Sequence, residues 1–154
     1  MKTPLTIEEV LNKYGRLVYS NKGNSMFPLL RENRDIMVVC KSSSPFNKFD
    51  VVLFKRCDVT NNPTYVLHRI IKVNDDKTYW IVGDNCITGE TVREENILGV
   101  LNAVIRNGKT IFNNNIGYRL YVNTWCRWYH LRFFILRTAR FIKMCAQKIF
   151  NNKK

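Results

Sequence analysis

Apolar positions along the chain change period three times. Ile7, Val10, Leu11 and Tyr14 recur at helical spacing. Thr6 followed by Glu9 has the spacing of a capping box, and Gly15 can end the run, so a helix is expected over about 6–15. Arg16 to Ser20 is short and extended in character, and Gly23-Asn24-Ser25-Met26-Phe27-Pro28 is turn-like. From Arg34 to about Gly99 the pattern becomes strand after strand. The runs are 35–40, 51–54, 65–73 and 79–82, with breaks at Ser42-Ser43-Ser44-Pro45, Asn61-Asn62-Pro63 and Asn74-Asp75-Asp76. Ile97 to Arg106 is a further strand, and Asn107-Gly108 is a strong hairpin turn into Thr110-Ile111-Phe112. Beyond residue 117 helical spacing returns, with Trp128, Leu131, Ile135, Ile142, Cys145 and Ile149 on one stripe.

The expectation is a mainly β protein: a small antiparallel, partly closed β domain over 1–115 with a short N-terminal helix, then a basic amphipathic helical tail over 116–154. A chain of 154 residues fits one domain with an appendage. It can bury a core without a metal or disulfide. The segment 1–15 has Glu8 and Glu9 where a cleaved leader needs an apolar core, and no run is apolar enough to span a bilayer. A cytoplasmic or peripheral-membrane location is therefore expected.

Charge changes the picture of the tail. All 12 acidic residues lie between Glu8 and Glu95. The first 95 residues carry 14 basic groups against those 12 acids; the last 59 carry 11 basic groups and no acid. Arg119, Arg127, Arg132, Arg137, Arg140, Lys143 and Lys148 surround the apolar stripe. Such a tail fits an anionic partner, and an anionic membrane met by the helix over 117–150 is preferred to nucleic acid. Packing of the helix on the β domain is the competing use of the stripe. The five cysteines are odd in number and have no C-x-x-C spacing, so neither a disulfide framework nor a zinc site is suggested.

Candidate chemistry comes from four ordered boxes. They are Gly23-x-Ser25-Met26-x-Pro28, Asp50-Val51-Val52, Val66-x-His68-Arg69-Ile70 and Gly83-Asp84-Asn85. Each is weak alone. Their order on the expected strands resembles the type I signal peptidase family, in its Ser-His branch of the endoplasmic reticulum and archaea, over about residues 20–106. That family shares its fold with self-cleaving repressor peptidases. The resemblance implies a serine endopeptidase acting on a precursor protein or leader peptide, with Ser25 as nucleophile, His68 as general base and Asp84 as the acid that orients His68. Glu90, six residues past Asp84, is the alternative acid. No cofactor or metal is implied. The residue types suit peptide-bond attack, because a serine hydroxyl needs a base to become nucleophilic and histidine exchanges protons near neutral pH.

Two departures from the family pattern stand out. Gly23 occupies the place of a serine that helps bind the oxyanion, which leaves the Ser25 backbone N–H with another donor such as Asn24. The chain also opens on an amphipathic helix where the family has a membrane anchor. Asn24, Met26 and Pro28 are the expected oxyanion and substrate-binding neighbours. The alternative function is a catalytically silent module that uses its basic tail on membrane or nucleic acid.

Overall fold

The computed structural model describes residues 5–57 and 62–151, with the side chains of Cys57, Ile149, Phe150 and Asn151 left aside. Asn61, part of an expected chain break, lies outside the described residues. Eight antiparallel strands form one sheet: β1 (Arg16–Ser20), β2 (Asp35–Lys41), β3 (Val51–Cys57), β4 (Pro63–Val73), β5 (Thr78–Val82), β6 (Gly89–Arg93), β7 (Ile97–Arg106) and β8 (Lys109–Phe112). Their order is β1-β2-β7-β3-β4-β5-β6, with β8 added on β7. The path is open: among the described residues β1 and β6 do not pair, so the partial closure expected from strand spacing is not formed through backbone hydrogen bonds.

Local chemistry explains the elements. α1 (Ile7–Tyr14) carries the full capping box: the Thr6 N–H donates to Glu9 Oε2 at 2.7 Å and the Glu9 N–H to Thr6 Oγ1 at 3.2 Å. Gly15 ends it in the left-handed region, φ 68°, donating to the Leu11 carbonyl. Asn107 and Gly108 both have positive φ, 51° and 73°, as a two-residue type I′ hairpin between β7 and β8 requires.

The apolar run Val51-Val52-Leu53-Phe54 is buried along its whole length because β3 has a core on each face. Val51 and Leu53 pack with Leu11, Met26, Val39 and Leu101, while Val52 and Phe54 pack with Phe46, Ile70, Ile81 and Ile97. β4, paired to β3 in the register Val52↔His68, is likewise buried from Leu67 to Ile71. These two strands are the rigid platform that carries His68.

The loop 21–34 between β1 and β2 carries Ser25 and is closed by Asp35. The Asp35 side chain is fully buried. It accepts from Arg34 at 2.7 Å, from Arg106 Nε at 2.9 Å and from the Arg31 backbone N–H at 2.9 Å. Arg106 Nη2 also donates to the Leu29 carbonyl at 2.8 Å, and the Asn21 N–H to the Asp35 carbonyl at 3.1 Å. Burial opposes the Asp35 charge, but these donors outweigh it and hold the carboxyl well below the usual carboxylate range.

The C-terminal extension is helical: α2 (Ile116–Tyr121), a π-helical turn over Val122–Cys126, and α3 (Tyr129–Asn151). Its beginning is joined to the β domain. Tyr118, Tyr121, Trp125, Cys126 and Arg132 all approach the buried Arg69–Asp84 pair. Along α3, Tyr129, Arg132, Phe133 and Leu136 form the covered face. The stripe foreseen as a packing or binding surface points the other way, with Trp128, Leu131, Ile135 and Ile142 between 46% and 64% exposed and Cys145 half-buried. Ile149, the last member of that stripe, has a side chain outside the described ones. Among the described residues, no helix is long and apolar enough to cross a membrane.

Candidate active site

The Ser25 backbone carbonyl and the His68 ring meet at Gly83. A Cβ on Gly83 would lie 2.7 Å from the Ser25 carbonyl oxygen, 2.9 Å from His68 Nε2 and 2.7 Å from Cys86 Sγ. No side chain fits there without displacing backbone or the imidazole, so glycine is the residue that lets the two boxes close on each other. Two further bonds hold the Ser25 loop to the 83–86 turn. The Asn85 N–H donates to the Ser25 carbonyl at 2.8 Å, and Asn85 Nδ2 donates to the Asn24 carbonyl at 3.1 Å. The Ser25 box and the Gly83 box are thus joined by contacts between residues about 60 positions apart in the chain.

Ser25 is half-buried and lines a groove of about 430 Å³ together with Ser20, Asn21 and Lys22 and with Thr64, Val66 and Leu67 of β4; His68 does not line it. Strand residues form much of its lining, which suits an extended peptide. A larger cavity, about 740 Å³, lies between Ser42–Phe46 and Arg93–Glu95, and no candidate catalytic residue lines it.

The other expected neighbours separate by role. Asn24 is exposed beside the nucleophile and remains available as a donor. Pro28 is half-buried in the same turn, and the Phe27–Pro28 peptide is cis. Met26, expected to bind substrate, is instead only 1% exposed and packs in the core with Leu11 and Leu30, so it supports the loop from below. Gly23 has φ 75° and open space around it. The family's serine would be strained there by its backbone, not by crowding, which accounts physically for the departure. Among the described residues the Ser25 N–H has no intramolecular acceptor, which leaves it free for an oxyanion.

The two candidate acids have other partners. Asp84 has no exposed side-chain surface. It accepts from Arg69 Nε at 2.8 Å and Nη2 at 2.7 Å, from the Tyr121 hydroxyl at 2.9 Å and from Arg132 Nη1 at 3.4 Å. His68 and Arg69 are successive residues of β4 and project to opposite faces, and the Asp84 carboxylate serves Arg69. Glu90 on β6 accepts from Arg56 of β3, from Nε at 2.8 Å and from Nη2. Among the described residues neither acid hydrogen-bonds His68, and no hydrogen bond joins Ser25 Oγ to the imidazole. Residues that sequence reasoning missed are Gly83 as a steric gate, Asp35 and Arg106 as the loop clasp, and Arg69 as the partner of Asp84.

No family model matches the chain, and no curated protein or solved structure matches it.

Electrostatics at His68 follow from this arrangement. Burial pushes the imidazole below its ordinary value of 6.5; Glu90 pulls it up, Arg56 pushes it down and Asp84 pulls it up, with burial prevailing. His68 is therefore neutral at pH 7 and able to accept a proton. If it is the base, kcat/KM should rise with pH with its half-maximum below 6.5. Glu90→Gln should lower that midpoint further, because it removes a charge that favours imidazolium. Arg56→Met should raise it. A midpoint at or above pH 7 in the parent, or shifts of opposite sign, would contradict this assignment. The check is a pH–rate profile on a soluble peptide.

Proposed function

We infer that the chain is a serine endopeptidase of the signal-peptidase type that cleaves a precursor protein or leader peptide. The observation that carries this reading is the convergence of the Ser25 backbone carbonyl and His68 Nε2 on Gly83, with Ser25 itself lining a groove beside β4. In the proposed reaction, an extended peptide lies in the groove with its scissile carbonyl at Ser25 Oγ. His68 Nε2 takes the hydroxyl proton as Oγ bonds to the carbonyl carbon. In this reading the Ser25 N–H and the Asn24 amide donate to the oxyanion. The imidazolium then returns its proton to the leaving amine. Water, deprotonated by His68, then bonds to the acyl carbon; the bond to Oγ breaks and the imidazolium returns the proton to Oγ, which frees the acid and restores the serine.

The third member is reduced to a field effect: of the two acids, Glu90 acts more strongly on His68 than Asp84 does. A dyad assisted by Glu90 is the form of the mechanism that this arrangement favours. The engagement of Asp84 by Arg69 also favours a second reading, a silent binding module that retains the peptidase scaffold. Exposure of the purified protein to a defined peptide library, read by mass spectrometry, separates the two. Cleavage products absent from a Ser25→Ala control support the peptidase. A library left intact by the parent protein, with peptides retained in the groove, would establish the binding module.

A further inference from the structure

α3 is mounted with its apolar side outward. Helical positions 129, 132, 133 and 136 face the β domain, and Arg132 is 1% exposed against Asp84. Arg140 continues that side, donating to the Asn85 carbonyl at 2.7 Å. The opposite side, at 100° per residue, carries Leu131, Phe134, Ile135, Phe141 and Ile142, each between 46% and 69% exposed. Trp128 extends it at 64% exposed. An ordinary surface helix turns such a face to the core; here Arg132 is buried on the covered side among Tyr129, Phe133 and Leu136, and five large apolar residues face water. A patch of this extent marks an interaction surface.

Charge identifies what it meets. Arg137 and Lys148 border the apolar face along one side, and both are exposed. No acid occurs anywhere after Glu95. An apolar face flanked by cations without anions suits a bilayer with anionic headgroups, where the ring and branched side chains enter the acyl boundary and the lysine and arginine heads stay at the phosphates. A partner helix of another protein would need acidic borders and gives no use for the basic excess of the whole extension.

We propose that α3 lies in the plane of an anionic membrane and holds the β domain on its surface. The helix is tied to the active-site turn by Arg132 to Asp84 and Arg140 to Asn85, and Asn85 in turn binds Ser25. The candidate active site is therefore fixed at the rim of the membrane-facing element, and peptides cleaved there would be drawn from the membrane surface. This inference does not depend on the peptidase reading.

The test is sedimentation of the full-length protein with vesicles of phosphatidylglycerol and phosphatidylcholine, and with phosphatidylcholine alone. Ser25→Ala protein serves as a catalytically disabled control. Parent and Ser25→Ala should bind the anionic vesicles alike, bind zwitterionic ones weakly, and lose affinity as salt shortens the screening length from about 10 Å to about 3 Å. The triple variant Phe134→Glu/Phe141→Glu/Ile142→Glu should bind at least about a hundredfold more weakly. Its melting should be unchanged, since these side chains face water. Charge reversal at Arg137 and Lys148 should reproduce the loss in part. Three results would overturn the proposal: no binding by the parent, binding by the triple variant at parental strength, or parental binding to duplex DNA with vesicles ignored. Concentration-dependent dimerisation of the parent that the triple variant abolishes, without vesicle binding, would assign the face to a second copy and equally overturn it.

Discussion

Ser25→Ala and His68→Ala are each expected to reduce peptide cleavage by at least about a thousandfold, and the double variant by little more than either one. Residues that act as a unit lose nearly the whole effect with the first deletion, so additivity is the diagnostic. In the proposed mechanism Ser25 Oγ supplies the nucleophile. The Ser25 carbonyl, His68 Nε2 and Cys86 Sγ are the three atoms nearest to a Cβ placed on Gly83. Cys86 is thus a candidate substitute, but burial pushes its thiol above the ordinary value, which keeps it protonated at neutral pH. Cleavage that survives in purified Ser25→Ala protein and disappears on Cys86→Ala would reassign the nucleophile. Fold integrity is read in the same samples by circular dichroism. Ser25→Ala should melt like the parent, because its hydroxyl makes no intramolecular hydrogen bond among the described residues. His68→Ala leaves a cavity between Phe54 and Gly83 and is better paired with His68→Gln as a milder control.

Much of the scaffold was legible because its local and global demands agree. The capping box at Thr6–Glu9, the Asn107-Gly108 hairpin and the four-residue apolar run of β3 each have a mechanism that acts within a few residues, and the structure contains all three. β6 was not legible. Its sequence, Gly-Glu-Thr-Val-Arg, buries only Val92, because the strand lies at the end of the sheet path and has one neighbour, β5. The tail shows a different limit. Periodicity reveals that α3 has two sides, but not which side docks; that is decided by Asp84, whose buried charge recruits Arg132 and turns the apolar stripe to solvent. The π-helical turn at Val122–Cys126 has no periodic signature either. It offsets the helix so that Trp125 Nε1 reaches the Asp84 carbonyl at 3.3 Å and Cys126 is fully covered.

The candidate site was half legible for a related reason. Ordered boxes locate residues along the chain but do not give the face of a strand. His68 and Arg69 are adjacent in β4, so a carboxylate arriving at that strand can serve one of them. Asp84 serves Arg69, and the sequence Gly83-Asp84-Asn85 reads identically in either case. What the turn does contribute to the site is steric and geometric: Gly83 admits the imidazole, and Asn85 holds the Ser25 loop.

Asp84→Asn is consequently expected to act on stability first. Asp84 and Arg69 have no exposed side-chain surface, and their bidentate pair lies under Tyr118, Tyr121, Trp125 and Arg132. Burial alone would disfavour the Arg69 charge; Asp84 reverses that and holds the guanidinium well above its ordinary value. Neutralising the acid leaves two guanidinium groups buried without a counter-charge, and breaking such a pair costs about 3–5 kcal/mol. For a chain of this length that corresponds to a fall in melting temperature on the order of 10 °C. Because Tyr121 and Trp125 are bound to Asp84 itself, the extension should loosen with it, and tryptophan fluorescence should report the change before global unfolding. Arg69→Met should destabilise comparably. The double replacement Arg69→Met/Asp84→Leu should recover part of the loss, since an apolar pair carries no desolvation cost; only Arg132 is then left uncompensated. A different result separates the two roles of this residue. Asp84→Asn protein that melts like the parent, keeps its tryptophan emission and still loses cleavage by about 10⁴ would make Asp84 the acid that sets the His68 tautomer. Reduced melting with cleavage retained at low temperature would make it the ion that fastens the C-terminal helices to the active-site turn.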